Sequence, residues 1–395
     1  MIPADHVSCP HCERAPGWWP QRRESVLLAS VALLAILFAF TGFVTHRYHA
    51  TQRALAQRWY NRGEADLQSG QPEKAIEDLE TALVYVPGND VYRLRLAEAL
   101  AAAERSGEAQ AYFLSLWSDE PSNGEVNLDL GRLAIRASNI PEALRFYHNA
   151  IYGIWSDNPE QSSRNARLEL CQALLARQDT RDAEAELIAL AGDLPEDANL
   201  YVRVGNMFLA TNDLDRALRQ FQRALALSPR LEAALQGAGQ ACFALTRYEE
   251  ARPYLERASR WNHGNTQAAP LLETTDLILE IDPFSGRLSA EERSSRVVRA
   301  YEQAMERLES CAQGRGDQLE TTTPQTPLEK AYAQALKLRP QMRESILRRD
   351  PDLTTAALDA VVEAEKVSAA ACGAPTGLDQ AILLAAQRHG GGETD

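Results

Sequence analysis

The longest apolar run comes first. From Ser25 to Thr45 the chain reads SVLLASVALLAILFAFTGFVT without a charge, with Arg22, Arg23 and Glu24 before it and His46 and Arg47 after it. At about 1.5 Å per residue such a helix is about 30 Å long, the thickness of a bilayer's hydrocarbon core. It shows no polar stripe of the kind a helix on a soluble core carries. It is too long for the apolar region of a cleaved signal, and neither an A-x-A-like site nor a Cys for lipid attachment follows it. The run therefore predicts a single transmembrane helix over 25–45, behind an N-terminal tail of residues 1–24. Past it the spacing of apolar residues is helical throughout, which predicts an all-α chain.

From residue 56 the pattern repeats. Units starting at 56, 90, 124, 164, 198 and 232 are spaced by 34, 34, 40, 34 and 34 residues and together span 56–265. The eighth position is small: Gly63, Ala97, Gly131, Cys171, Gly205 and Gly239. The twentieth is Ala in all six, from Ala75 through Ala109, Ala143, Ala183 and Ala217 to Ala251. The twenty-fourth is large, as Leu79, Phe113, Tyr147, Leu187, Phe221 and Leu255. Two antiparallel helices approach closely only where both lack bulk, so the small positions mark a helix crossing and large residues such as Leu100, Phe208 and Phe221 fill the holes beside it. Pro87, Pro121, Pro195 and Pro229 at the thirty-second position stop the second helix, with Trp155 and His263 in the other two units. The six-residue excess between the third and fourth units, inside GIWSDNPEQSS, predicts a lengthened loop.

This 34-residue pattern resembles the tetratricopeptide repeat family, in six consecutive units covering a little over half the chain. The resemblance implies a right-handed helical solenoid whose first helices line a concave groove for extended or helical peptides. It implies that positions two, five, nine, twelve and thirteen reach into that groove. Position five gives Tyr60, Leu94, Leu128, Leu168, Val202 and Gln236; position nine gives Glu64, Glu98, Arg132, Gln172, Asn206 and Gln240. An apolar row beside an amide-rich one suits peptide binding, since amides pair with backbone groups while the apolar row takes side chains. Tyr60, Leu94, Arg132, Gln172, Asn206 and Gln240 are the candidate contacts, although packing of helix on helix claims about half of such positions. The carboxylate clamp of chaperone-type members is not expected, because no Lys stands at position five and only Arg203 and Asn206 echo it.

A solenoid end needs a polar outer side. Residues 266–282, with Leu271, Leu272, Leu277 and Leu279, fit a capping helix. Residues 283–390 read as a helical C-terminal region: a helix from Ala290 to Cys311, a Gly-, Thr- and Pro-rich linker from Gln313 to Pro327, then helices near 328–338, 354–372 and 378–388, docked on the last repeat. The end, GGGETD, is expected to be disordered.

Composition narrows the chemistry. Forty-one basic against fifty-five acidic residues leave a formal charge of −14, which opposes nucleic-acid binding. Only Lys74, Lys330, Lys337 and Lys366 are lysines, an Arg- and Ala-rich bias typical of a GC-rich bacterial gene. Neither a phosphate-binding Gly loop, a nucleophile elbow nor an HExxH motif occurs, so no catalytic residue is nominated. Cys9-Pro10-His11-Cys12 is similar to the motif of thioredoxin-like oxidases but lacks room for their scaffold. Cys9 and Cys12 alternatively supply half of a tetrahedral zinc site, completed by His6 and His11 or by a partner's pair, and otherwise form a reduced dithiol in an unstructured tail. No other cofactor is expected. Cys171 and Cys242 stand at packing positions, whereas Cys311 and Cys372 stand at helix ends and pair in an oxidising compartment. The positive-inside rule ties, with Arg14, Arg22 and Arg23 before the apolar run against Arg47, Arg53 and Arg58 after it. A short tail, one anchor and a long acidic domain favour a single-pass protein of the bacterial inner membrane with its repeats outside the cytoplasm. The expected role is a non-enzymatic scaffold for protein or peptide partners in envelope assembly; the alternative is a thiol oxidoreductase or zinc-linked module acting through the N-terminal tail.

Overall fold

The computed structural model describes residues 22–261, 267–285, 288–319 and 324–390. Among them every regular element is helical, apart from one isolated bridge between Asn123 and Ile154. The chain divides into two units, 1–166 and 167–395.

In the first unit α1 (Arg22–Gln68) is one unbroken helix of 47 residues, about 70 Å at 1.5 Å per residue. The hydropathy pattern predicts an apolar helix closing at residue 45 and a first repeat opening at 56. In the structure both belong to α1, because nothing between His46 and Leu55 is Gly or Pro and the backbone hydrogen bonds continue. The apolar part of α1 is buried against nothing, whereas Ala56 is fully buried. From there α1 packs antiparallel on α2 (Pro72–Tyr85), and the pairs α3 (Asp90–Ala102) with α4 (Ser106–Asp119) and α5 (Gly124–Arg136) with α6 (Ile140–Ile151) follow. Side-chain caps set the starts: Asn89 accepts from the Tyr92 amide at 3.1 Å and Asn123 from the Val126 amide at 3.1 Å.

The second unit takes in most of α7 (Pro159–Ala176), then α8 (Thr180–Ala191), α9 (Ala198–Ala210), α10 (Leu214–Leu227), α11 (Glu232–Ala244) and α12 (Tyr248–Trp261). Inside both units the crossing is built the same way: the eighth position lies under the twenty-fourth. A methyl group on Gly63 would stand 2.8 Å from Leu79, on Gly131 2.8 Å from Tyr147, on Gly205 2.8 Å from Phe221 and on Gly239 2.6 Å from Leu255. Phe221 is also roofed by Gly237, where an added carbon would meet its ring at 2.3 Å.

Each first helix ends identically. The fifteenth residue of all six units has positive φ: Gly70 at 73°, Glu104 at 60°, Ser138 at 60°, Gln178 at 63°, Asn212 at 61° and Thr246 at 57°. The amide of the next residue reaches back to the carbonyl of the eleventh, as Gln71 to Asp66, Arg105 to Leu100 and Asn139 to Ala134 at 2.9 Å, Asp179 to Leu174 and Asp213 to Phe208 at 3.0 Å, and Arg247 to Cys242 at 2.9 Å. This is the six-to-one closure of a Schellman end, which satisfies carbonyls that the last turn orphans.

The lengthened loop is ordered. Ile154 donates to the Ser122 carbonyl and accepts from the Gly124 amide, both at 2.8 Å. The Trp155 ring lies on Gly124, where a side-chain carbon would come within 2.4 Å, and its indole N–H donates to the Ala150 carbonyl at 2.9 Å. Trp155 stands where other units carry Pro and closes the third unit by packing instead.

Helix α13 (Ala268–Ile281) follows α12, and the C-terminal region comprises α14 (Ala290–Arg315), α15 (Pro327–Leu338), a 3₁₀ turn at Arg339–Gln341, the single turn α16 (Glu344–Leu347), α17 (Pro351–Cys372) and α18 (Gly377–Gly390). Helix α14 runs four residues past Cys311, to a left-handed Gly316, and so takes the first three residues of the expected linker. Helix α17 starts at Pro351 rather than 354, capped by Asp350 on the Leu353 amide at 3.0 Å. Tyr248 of α12 is buried in one apolar cluster with Ile278, Tyr301, Leu308, Tyr332, Val361 and Ile382. Arg388 of α18 fastens it, reaching Glu249 at 3.1 Å and the buried Asp282 at 3.3 Å.

Candidate peptide-binding face of the first helices

The ninth-position row stays at the surface. Glu64, Glu98 and Arg132 are half-buried in the first unit; Gln172, Asn206 and Gln240 are exposed in the second. The fifth-position row does not form the expected apolar strip. Leu128, Leu168 and Val202 are buried core residues, and Tyr60 and Leu94 lean on the core. Tyr60 also stacks on Tyr92, with ring centroids 4.8 Å apart. The neighbouring helix covers this row, so it fixes the solenoid more than it offers a surface.

The two units carry different chemistry on this side. In the first, α1, α3 and α5 bring together Glu64, Glu98, Glu125 and Asp129 around two guanidiniums. Arg95 donates to both oxygens of Glu98 at 2.7 and 2.9 Å and lies 3.7 Å from Glu64 and 3.5 Å from Glu125. Arg132 donates to Asp129 at 2.9 Å. Four carboxylates face two cations, and the protonation states show it. Burial pushes the Asp129 carboxyl up to about 7, with Glu98 adding to the rise and Arg132 opposing it. Burial likewise raises Glu98 against the pull of Arg95, and raises the Tyr60 phenol.

In the second unit the same register is nearly uncharged. Gln172, Asn206 and Gln240 stand on α7, α9 and α11, with Asn199 exposed on α9. None of these four side chains is hydrogen-bonded among the described residues, so their donors and acceptors are free for a ligand. Arg203 is exposed beside them. The ninth-position pattern gives three of these amides but not Asn199, which stands at position two of its unit.

The cysteines separate by environment. Cys171 and Cys242 are buried in the repeat core, and burial pushes their thiols up to about 12 and about 11, which leaves them packing groups without nucleophilic character. Cys311 of α14 and Cys372 at the end of α17 are joined in a disulfide, with Cα atoms 5.8 Å apart. Cys9 and Cys12, with His6 and His11, lie outside the described residues, as do His263 and the last five residues of the GGGETD end, 391–395. Among the described residues no group of three or more His, Cys, Asp or Glu side chains is arranged to hold a metal ion.

Comparison with known proteins agrees with this architecture. Models of the tetratricopeptide repeat match residues 66–119, 168–232 and 208–273. These segments are tetratricopeptide repeats, the repeat of a class of protein-interaction scaffolds. The matches skip 120–167, where the lengthened loop breaks the period. Similar solved structures include PilF of Pseudomonas aeruginosa, with 13% identity over 55% of this chain and 96% of that one and a TM-score of 0.39. The type IV pilus biogenesis factor PilW has 18% identity over 55% and 97%, with a TM-score of 0.39. YrrB, described as having an unusual peptide-binding site, has 17% identity over 48% and 95%, with a TM-score of 0.38. Comparison with curated proteins gave no match.

Proposed function

We propose that the protein is a membrane-anchored scaffold that holds extended peptide segments of partner proteins against its first helices, outside the cytoplasm, during envelope assembly. It works by binding and by local concentration, not by making or breaking bonds. The observation that carries the reading is the row of unpartnered amides, Gln172, Asn206 and Gln240, repeated on three successive first helices. Amides at a fixed repeat offer a peptide backbone alternate donors and acceptors, and this side of the second unit has little charge to restrict the sequence bound.

Anchoring is supported by the apolar part of α1, which touches nothing else in the protein. Its few hydroxyls are answered within the helix: Ser30 donates to the Leu27 carbonyl at 2.8 Å, Thr41 to Phe38 at 2.9 Å and Thr45 to Thr41 at 2.6 Å. A helix can enter hydrocarbon only when its polar groups are met internally in this way. The disulfide between Cys311 and Cys372 supports an oxidising compartment for the soluble part.

Photo-crosslinking tests the binding face. A photoreactive residue at Asn206 or Gln240 is expected to give discrete adducts in cells, while one at the exposed Gln222 on α10 gives none. The adducts should fade at least several-fold when Gln172 and the remaining ninth-position amide are changed to Ala. Equal adducts from Gln222, or adducts indifferent to those changes, refute the assignment.

A further inference from the structure

Between Glu24 and Glu64 the chain contains no acidic residue, although its formal charge is −14. Arg47, Arg53, Arg58 and Arg62 fall in that gap. Arg62 is committed to Asp78. The other three are exposed and make no ion pair among the described residues, and His46 and His49 are exposed beside them. This stretch of α1 is a bare helix, since packing against the repeats starts only near Ala56.

Height along the helix sorts these charges. Counted from Thr45 at about 1.5 Å per residue, Arg47 stands about 3 Å, Arg53 about 12 Å and Arg58 about 20 Å beyond the apolar run. The headgroup zone of one leaflet is roughly 5–8 Å deep, and charges are felt for about 8 Å more at physiological salt. Arg47 is therefore among the headgroups, Arg53 is within their field, and Arg58 is beyond it. At about 100° per residue Arg47 and Arg53 are about 120° apart, with His46 and His49 flanking Arg53. Arg58 falls about 20° from Arg47, so these charges lie on two faces within one half of the helix, and it is their height next to the apolar run that points to lipid headgroups.

The first repeat starts above the headgroup level, about 16 Å beyond the apolar run. Ala56 packs with Ala82 and Tyr92, and Tyr92 donates to Gln57 at 3.1 Å, so the end of α2 and the start of α3 return to the base of the solenoid. Val84 and Val91 are left 77% and 55% exposed there. Asp90 at this end is held by Arg93 at 2.8 Å, which also reaches Asp119 of α4 at 3.4 Å. With Glu120 next to Asp119, the attraction to negative lipid is confined to the collar on α1.

We propose that this collar, Arg47 and Arg53 above all, docks on the headgroups of an anionic phospholipid leaflet on the side of the bilayer that carries the repeats. The inference rests on the anchor reading above. It gives that anchor a lipid preference.

The test reconstitutes the full chain in phosphatidylcholine bilayers doped with spin-labelled phosphatidylglycerol or phosphatidylcholine and compares the two labels in the motionally restricted lipid. Arg22 and Arg23 serve the other leaflet in every variant, so the collar is read from the difference between wild type and the Arg47→Gln/Arg53→Gln double variant. Phosphatidylglycerol should be favoured by the wild type about threefold more than by the double variant, a difference that shrinks at high salt. Free glycerol phosphate in the buffer should not reduce the preference if the site reads a lipid surface. The same preference in wild type and double variant overturns the proposal, and displacement by free glycerol phosphate replaces the lipid surface with a soluble anion. Carbonate extraction separates the two readings: a chain that stays in the membrane but shows no collar effect refutes the collar alone. A chain released by carbonate refutes the anchor and the collar with it.

Discussion

At the scale of single residues the repeat depends on backbone angles that its side chains do not advertise. Position fifteen holds Gly, Glu, Ser, Gln, Asn and Thr in turn, yet all six adopt left-handed φ because the Schellman hydrogen bonds around them require it. For a β-branched residue this conformation costs about 1 kcal/mol or more relative to Gly. Thr246→Gly should therefore stabilise the protein by roughly 0.5–1 kcal/mol, and Gly70→Ala should destabilise it by a similar amount, as shifts of opposite sign in thermal midpoint. Equal signs would mean that the turn relaxes. Asp129 gives a pH signature. Its folded-state value of about 7 is above the ordinary aspartate value, so the folded protein keeps a proton that the unfolded chain releases. Stability from this group is thus fully present at acidic pH, declines as pH rises from about 4 to about 7, and is flat above that. Asp129→Asn should flatten that decline and raise the midpoint at pH 8 relative to wild type; a steeper decline in the variant would contradict the assignment.

At the scale of elements, the sequence carried the hairpins because small and large residues alternate at a fixed period, and packing at close range reads that period directly. Gly63 under Leu79 and Gly205 under Phe221 are the physical content of positions eight and twenty-four. What it did not carry depends on neighbours. Leu128, Leu168 and Val202 look available on a single helix and are covered once the next hairpin stacks on them. The ends of helices were also hidden: polar Gln313, Gly314 and Arg315 look like linker, yet they extend α14 to Gly316. The continuity of α1 through residue 45 was obscured by the change from apolar to polar composition, which marks a change of solvent and not a break in the backbone. The C-terminal helices are fastened by a cross-link spanning 61 residues of sequence. Closing a loop of that size is worth about 4 kcal/mol by chain entropy, less any strain. Reduction, or Cys372→Ser, should lower the stability of the second unit by about 2–4 kcal/mol, visible as a lower denaturation midpoint. An unchanged midpoint after complete reduction would show that α14 and α17 hold together without the bridge.

At the scale of the whole molecule, one helix carries both the longest apolar run and the first helix of the repeats, with no break between them. On the anchored reading proposed above, the first repeat therefore joins the membrane span without a flexible linker. The side of the membrane then decides which partners are available. It is read most directly by placing a single reactive Cys at Arg219, which is exposed and unpaired on α10, in a Cys9→Ser/Cys12→Ser chain. Cys171 and Cys242 stay silent because they are buried, and Cys311 and Cys372 stay silent while bonded. A membrane-impermeant maleimide added to intact cells should label this chain as fully as it does after lysis. Protection until lysis would place the repeats in the cytoplasm and contradict the proposal of a scaffold for envelope assembly.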